Sequence, residues 1–193
     1  MQIIYTKQKL TEEHIEYFMF QIICAIKYIH SAGIIHRDIK PGNILVNESC
    51  EIKLCDFGMA RSCDIEALIP RKLMTPYVST RFYRAPELIL SLHNYTTALD
   101  IWSVGCVMAE LYSGHPLFPG MNHQHMLQLI IQILGTPKNI IEFLTKYSAA
   151  CADALSRLPY SDGSYLTKIL GQINPHAIDL IRKMLCFDPV KIK

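Results

Sequence analysis

The sequence lacks the cysteine spacing of a zinc site or a disulfide framework. Its seven cysteines include no C-x-x-C pair, and their number is odd. Neither a structural metal nor a set of disulfides is therefore indicated. Reduced thiols are typical of the cytosol and the nucleus, so we predict a cytoplasmic or nuclear location.

The sequence also lacks a long apolar run and an excess of charge. The longest apolar stretch, residues 127–134, is interrupted by Gln128 and Gln132 and is too short to cross a bilayer. The net charge is +2 and no basic run occurs, so neither nucleic acid nor a membrane is an expected partner. The 193 residues, 50% of them hydrophobic, suffice for one domain with a buried core.

Most of the remaining pattern is helical. Thr11 is a suitable N-cap, and apolar residues recur behind it at helical spacing up to Gly33. A second stretch is apolar on nearly every face and ends at Gly114, as expected of a buried helix. These and two further helices are predicted over residues 12–32, 100–112, 124–134 and 175–185.

Two short apolar stretches interrupt the helical pattern. Residues 44–46 and 52–54 are separated by a turn-forming segment and predict a β-hairpin. This hairpin would place Asn43 and Asp56 at neighbouring ends of two strands. Residues 59–80 have no steady period, which predicts a long loop of the kind that usually carries function. The predicted fold is mainly α with a small β-hairpin.

Three short motifs carry residues suited to catalysis. They are Ile35-His36-Arg37-Asp38-Ile39-Lys40-Pro41-Gly42-Asn43, then Cys55-Asp56-Phe57-Gly58, then Tyr83-Arg84-Ala85-Pro86-Glu87. By itself, an aspartate or asparagine beside glycine and proline is more often a turn former than a catalyst. Three motifs in this order, with Asp56 18 residues beyond Asp38, resemble the large C-terminal lobe of a protein kinase.

The resemblance implies a role for each polar residue of the first two motifs. Asp38 would accept the proton of the substrate hydroxyl, and Lys40, typical of serine/threonine kinases, would contact the transferring phosphate. Asn43 and Asp56 would hold Mg²⁺ through oxygen ligands, and Leu45 would form the floor of the adenine pocket. The implied cofactors are therefore ATP and Mg²⁺.

Other residues have structural roles under the same resemblance. His36 is expected to be a buried, hydrogen-bonded histidine without proton chemistry, and Phe57 and Gly58 complete the metal-binding motif. Asp100 would accept hydrogen bonds from the backbone of the catalytic loop. Glu87 would normally pair with an arginine, but Ile192 stands at that position, so we expect Glu87 to lack its partner.

One further segment narrows the resemblance to the mitogen-activated protein (MAP) kinases. Its sequence is Met74-Thr75-Pro76-Tyr77-Val78-Ser79-Thr80-Arg81-Phe82-Tyr83-Arg84. The resemblance implies that an upstream dual-specificity kinase phosphorylates Thr75 and Tyr77, and it adds Thr80 to the catalytic set. The implied phosphate-binding arginines are Arg37 and Arg61 for phosphothreonine, and Arg81 and Arg84 for phosphotyrosine. The alternative is that these arginines are ordinary solvated charges.

The matches extend over almost the entire chain. The resemblance implies a partial kinase domain over residues 1–193: helix and catalytic loop 1–43, hairpin and metal-binding motif 44–58, activation segment 59–87 and helical subdomain 88–193. The family's glycine-rich loop and strand lysine do not occur, so we expect the small N-terminal lobe to be absent. Met1 would then be an internal methionine or an alternative start, and the isolated chain would be poorly active.

Two functions follow as hypotheses. The first is a MAP-kinase-type serine/threonine kinase that transfers the γ-phosphate of ATP to protein substrates, with the proline-directed specificity implied by the family. The alternative is a catalytically inactive kinase lobe that acts as a binding module or decoy for activators or substrates. The intact catalytic residues favour the enzyme, whereas the expected absence of the small lobe, which would cover the nucleotide, favours the decoy.

Overall fold

The computed structural model of the chain describes residues 1, 4, 10–63, 81–90, 96–137 and 157–192. Its helices are α1 (Glu12–Ser31), α2 (Pro86–Ile89), α3 (Ala98–Ser113), α4 (His123–Leu134), α5 (Tyr165–Leu170) and α6 (Pro175–Met184). Its strands are β1 (Ile34–Ile35), β2 (Ile44–Val46), β3 (Ile52–Leu54) and β4 (Arg61–Ser62). The predicted mainly helical fold is confirmed. Within the described ranges, no helix has the length and apolar character needed to cross a bilayer.

The strands form two antiparallel pairs. β2 pairs with β3, with Ile44 opposite Leu54, which confirms the predicted hairpin. β1 pairs with β4, with Ile35 opposite Arg61. The interpretation of residues 59–80 as loop throughout is therefore wrong at β4, because a strand of two residues is too short to show a period. Residues 64–80 lie outside the described part of the chain.

The first helix begins at a reciprocal cap. The Thr11 hydroxyl accepts a hydrogen bond from the backbone N–H of His14 (3.3 Å), and the backbone N–H of Thr11 donates to His14 Nδ1 (3.2 Å). Two backbone donors that the helix leaves open are thus satisfied. Glu12 and Glu13 in the first turn interact favourably with the helix dipole. The buried face of α1 consists of Ile15, Phe18, Met19, Ile22, Ile26 and Ile29.

Replacing Thr11 by alanine is expected to destabilise the chain by about 1 kcal/mol, the usual worth of an N-cap side chain. For a domain of this size, that loss corresponds to a melting temperature lower by roughly 2–4 °C. Differential scanning calorimetry would measure the shift. Thr11→Ser, which keeps the hydroxyl, is the matched control and should melt close to the native chain; equal losses in both variants would contradict the capping role.

The third helix is the centre of the fold. Trp102 is fully buried and stacks on Phe118, with ring centroids 5.8 Å apart. α1 and α6 both pack against α3. The approach of α6 is close at Gly105, where an added Cβ would come within 2.9 Å of Leu185 Cδ2. This packing holds the first turn of α3, and with it Asp100, beneath the loop that joins β1 to β2.

Candidate active site

The loop between β1 and β2 is held by a buried carboxylate. Asp100, which is fully buried, accepts hydrogen bonds from the backbone N–H groups of His36 at Oδ2 and Arg37 at Oδ1, both at 2.8 Å. Arg37 has φ 68°, a left-handed conformation that costs an L-residue about 1–2 kcal/mol. Hydrogen bonds to a charged acceptor contribute about 1.5–3 kcal/mol each, so two of them offset this cost. The Asp100 side chain on α3 thus fixes the conformation of this loop.

His36 joins the first motif to the second. Its buried ring donates from Nε2 to the carbonyl of Cys55 (3.2 Å), while Nδ1 accepts from the backbone N–H of Asp38 (3.3 Å). Together these two contacts require the Nε2–H tautomer, because Nδ1 must present a lone pair. The ring also contacts Phe57, with centroids 4.7 Å apart. His36 therefore ties together the segments that carry Asp38 and Asp56.

The side chains of the first motif converge on one oxygen of Asp38. Asp38 Oδ2 accepts hydrogen bonds from Lys40 Nζ (2.7 Å) and Asn43 Nδ2 (3.0 Å), and Asn43 Nδ2 also donates to the Asp38 carbonyl (2.8 Å). Asp38 Oδ1 takes no hydrogen bond within the described ranges. One oxygen is therefore oriented by its neighbours while the other is left to accept a proton.

Asn43 and Asp56 supply oxygen atoms at the open end of the hairpin. The backbone N–H of Cys55 donates to the Asn43 carbonyl (3.0 Å), which brings the two segments together. Asp56 is exposed at φ 61°, and its Oδ1 accepts from the N–H of Gly58 (3.3 Å). Leu45, two residues after Asn43 on β2, is 55% exposed and presents an apolar surface to solvent.

The side-chain oxygen atoms of Asn43 and Asp56 fit Mg²⁺. The described residues contain no cluster of three or more histidines, cysteines or carboxylates that could hold a metal by themselves. Mg²⁺ is usually bound by one or two protein oxygens together with phosphate and water oxygens. The Asn43 side-chain oxygen, which accepts no hydrogen bond from the described residues, and the exposed Asp56 carboxylate match that requirement.

A cationic cluster lies next to Asp38. Arg37 and Arg84 line the same cavity as Asp38. Burial and the neighbouring Arg81 lower the pKa of Arg84, and Asp38 opposes this effect. Burial together with Arg84 and Arg81 also lowers the pKa of His123 at the start of α4. Two of the four predicted phosphate-binding arginines, Arg37 and Arg84, therefore lie beside Asp38, and a third, Arg81, lies near Arg84.

The remaining predicted residues divide into two groups. Arg61 is exposed on β4 and donates to the carbonyl of its own neighbour Ala60 (2.7 Å). Thr75, Tyr77 and Thr80 lie outside the described residues.

Glu87 is buried without its expected partner. The side chain is 2% exposed, and its Oε1 has no hydrogen-bond partner among the described residues. Burial is the main cause that raises the pKa of Glu87, to about 7; a hydrogen bond from its own backbone N–H partly opposes this effect, and the nearby Asp188 carboxylate adds to it. A buried acid of this kind favours the protonated form.

Sequence reasoning missed a second buried network beside the site. The Tyr83 hydroxyl donates to Glu110 Oε2 (2.8 Å), and the Ser103 hydroxyl donates to the Tyr83 carbonyl (2.9 Å). Glu110 is fully buried in α3. A second carboxylate within a largely apolar helix was the available signal, because a buried charge requires a donor from another element.

Comparison with known proteins identifies the family of the chain. Residues 1–191 match the model of the protein kinase domain. The chain is 49% identical to mitogen-activated protein kinase 4 of Oryza sativa subsp. japonica, over 98% of this chain and 50% of that protein. It is 47% identical to mitogen-activated protein kinase 7 of Arabidopsis thaliana over the same shares, and 47% identical to mitogen-activated protein kinase spm1 of Cytospora mali over 97% and 44%.

The chain belongs to the protein kinase family. Within that family it is similar to the MAP kinases of plants and fungi. It spans about half the length of the curated relatives it matches.

Proposed function

We propose that this chain provides the catalytic lobe of a MAP-kinase-type serine/threonine kinase, which transfers the γ-phosphate of ATP to a protein hydroxyl. The arrangement around Asp38 supports the proposal most directly. Lys40 and Asn43 both donate to Oδ2 and leave Oδ1 as the acceptor for a substrate proton. Similarity to MAP kinases over 98% of the chain supports the same reaction class.

Each residue of this lobe would contribute positioning or charge. Asp38 Oδ1 accepts the proton of the attacking hydroxyl, and the contacts to Oδ2 keep the carboxylate in place. Asn43 and Asp56 would hold Mg²⁺ through their side-chain oxygens, while Lys40 carries a positive charge close to the reacting groups. When bound, ATP would supply the transferred phosphate and Mg²⁺ would neutralise charge on the phosphate oxygens.

A chimeric kinase tests the proposal. The small lobe of rice mitogen-activated protein kinase 4, placed before residue 1 of this chain, should supply the remaining contacts to the nucleotide. We expect Mg²⁺-dependent phosphate transfer to peptides, and faster transfer to Ser-Pro than to Ser-Ala peptides if the enzyme is proline-directed. A folded chimera that binds activators or substrates without transferring phosphate would instead favour the decoy function.

Activation by dual phosphorylation is the second part of the proposal. We expect mass spectrometry to find phosphate on both Thr75 and Tyr77 after treatment with a dual-specificity activator. Phosphate dianions near Arg81 and Arg84 would form charge-assisted pairs, so cleavage of residues 59–84 by proteases should slow several-fold.

The arginines can be tested separately from the phosphates. Replacing both Arg81 and Arg84 by glutamine should remove most of the protection gained on phosphorylation, whereas Lys53→Gln, at an exposed position on β3, should leave it intact. Unchanged proteolysis of the doubly phosphorylated native chain would rule out this switch.

A further inference from the structure

A glutamine side chain on α1 binds the backbone of the β2–β3 hairpin. Gln21 Nε2 donates to the carbonyl oxygen of Cys50 (2.9 Å), and Gln21 Oε1 accepts from the backbone N–H of Ile52 (3.0 Å). A carboxamide carries donors and an acceptor side by side, and here each meets its complement. The two contacts together fix the orientation of the Gln21 side chain.

This pair of contacts imitates a neighbouring strand. β3 pairs with β2 on one side, with Val46 opposite Ile52, and Gln21 meets its other side. The edge of a strand presents N–H and C=O groups to whatever lies beside it. Because a single side chain satisfies one group of each kind, the Gln21 amide takes the place of part of a third strand.

The turn of the hairpin depends on this support. Cys50 has φ 59°, a left-handed conformation that L-residues seldom adopt. Its backbone N–H donates to the carbonyl of Asn47 (3.1 Å), while its own carbonyl accepts from Gln21. A hairpin of two strands is marginally stable until it packs against another element. The contact with α1 therefore stabilises the turn end of the hairpin.

The open end of the hairpin is held separately. There the N–H of Cys55 donates to the carbonyl of Asn43 (3.0 Å), and the carbonyl of Cys55 accepts from His36 Nε2 (3.2 Å). A hairpin fixed at one end alone is free to tilt about that end, and the Gln21 contact at the other end restrains this motion. Asn43 directly precedes β2 and Asp56 follows β3, so the spacing of their oxygen atoms depends on the tilt.

We propose that Gln21 is a positioning residue for the Mg²⁺ site, which sets the tilt of the β2–β3 hairpin and with it the placement of Asn43 and Asp56. The assignment of these two residues to Mg²⁺ rests on the proposed kinase function. Gln21 acts through the hairpin, as a supporting residue behind the metal ligands does.

Amide hydrogen exchange of the chain itself tests the positioning role. Gln21→Leu removes both contacts at similar side-chain size. Exchange at the N–H of Ile52, which loses its acceptor, should accelerate about tenfold. Exchange at the N–H of Cys55 should accelerate several-fold, because a hairpin released at its turn opens more often at its other end.

Two references separate this effect from global stability. Exchange at Val107, buried in the middle of α3, should stay at the native rate in Gln21→Leu. Gln124→Leu, at an exposed position on α4, is the matched control and should change none of these rates. A native rate at Cys55 in Gln21→Leu, or an equal rise at Val107, would overturn the proposal.

Gln21→Glu tests the two-way contact. The carboxylate keeps an acceptor for the N–H of Ile52 but turns its other oxygen towards the carbonyl of Cys50, which raises the pKa of the introduced carboxyl group. The protonated acid has a donor and an acceptor, as the amide does. The exchange rate at Cys55, relative to the native chain at the same pH, should be near one at pH 4 and several-fold higher at pH 7. Equal ratios at the two pH values would contradict the proposal.

The Mg²⁺ dependence of the chimeric kinase gives a readout that a merely structural role would not move. Gln21→Leu should raise the Mg²⁺ concentration for half-maximal phosphate transfer about tenfold, as loss of a residue that supports metal ligands does. The kcat at saturating Mg²⁺ should stay within about twofold of the native value, because Asp38 is not displaced. An unchanged Mg²⁺ requirement would overturn the role of Gln21. Failure of the proposed kinase function would appear instead as absent phosphate transfer by the native chimera, and the exchange rates of this chain would still decide the role of Gln21.

Discussion

Replacing Asp38 by asparagine in the chimeric kinase is expected to lower kcat by about 10²–10⁴-fold, the usual contribution of a general acid–base residue. Asparagine keeps the size of the side chain but removes the charge that is proposed to accept the substrate proton. It also disturbs Oδ2, where Lys40 and Asn43 donate. Because loss of the acceptor affects the transition state more than substrate binding, the KM for ATP should change much less than kcat.

Asp179→Asn is the matched control for this substitution. Asp179 is an exposed carboxylate on α6 that pairs with Lys183, and exposed pairs contribute little to stability. Its kcat should stay within about twofold of the native value, as expected of a surface site. Phosphate transfer by Asp38→Asn at a near-native rate would contradict the proposal that Asp38 accepts the substrate proton, whatever the control shows.

Sequence patterns predicted the elements of this fold where local signals were strong. The hairpin bounds followed from two short apolar runs around a turn, and the start of α1 followed from the Thr11 cap. β4 was missed because two residues carry no period, and its pairing depends on β1, which lies far away in the sequence. Tertiary contacts, rather than local preference, decide such short strands.

The candidate site could be predicted in its residues but not in its hydrogen bonds. The motifs identified Asp38, Asn43 and Asp56 as a set, since family patterns encode residue types at fixed spacing. They could not show that Asp38 Oδ1 takes no hydrogen bond from the described residues, nor that His30 reaches Asp100 across 70 residues of chain. Contacts of that kind depend on how α1 and α3 pack, which no short motif records.

The stability of the chain is expected to fall as pH rises, because of Glu87. Its pKa is about 7 in the folded chain, against an ordinary value of 4.5. A raised pKa means that the folded state binds this proton more tightly than the unfolded state does. The contribution is fully present below pH 4.5 and is lost as pH rises through about 7, with a total of about 3 kcal/mol. Roughly 2 kcal/mol of that loss falls between pH 5.5 and 8.

Urea unfolding of the native chain and of Glu87→Gln at pH 5.5 and pH 8 isolates the contribution of Glu87 to the free energy of unfolding. Glutamine resembles the protonated acid and does not titrate. The free energy of unfolding of Glu87→Gln, relative to that of the native chain, should therefore rise by about 2 kcal/mol from pH 5.5 to pH 8. Glu48→Gln, at an exposed position in the hairpin turn, is the control and should show no such growth.

Two substitutions test the cause of the raised pKa. Asp188→Asn keeps a side chain that can cap the following turn, as Asp188 does at the N–H of Val190, but removes the neighbouring charge. The pH-dependent advantage of glutamine at position 87 should shrink in this background. Ile192→Arg introduces the cation that the family pattern places opposite Glu87, and it should lower the pKa of Glu87 and stabilise the chain most at pH 8. If the free energies of unfolding of the native chain and Glu87→Gln run parallel from pH 5.5 to 8, the pKa of Glu87 is not raised by burial as proposed here.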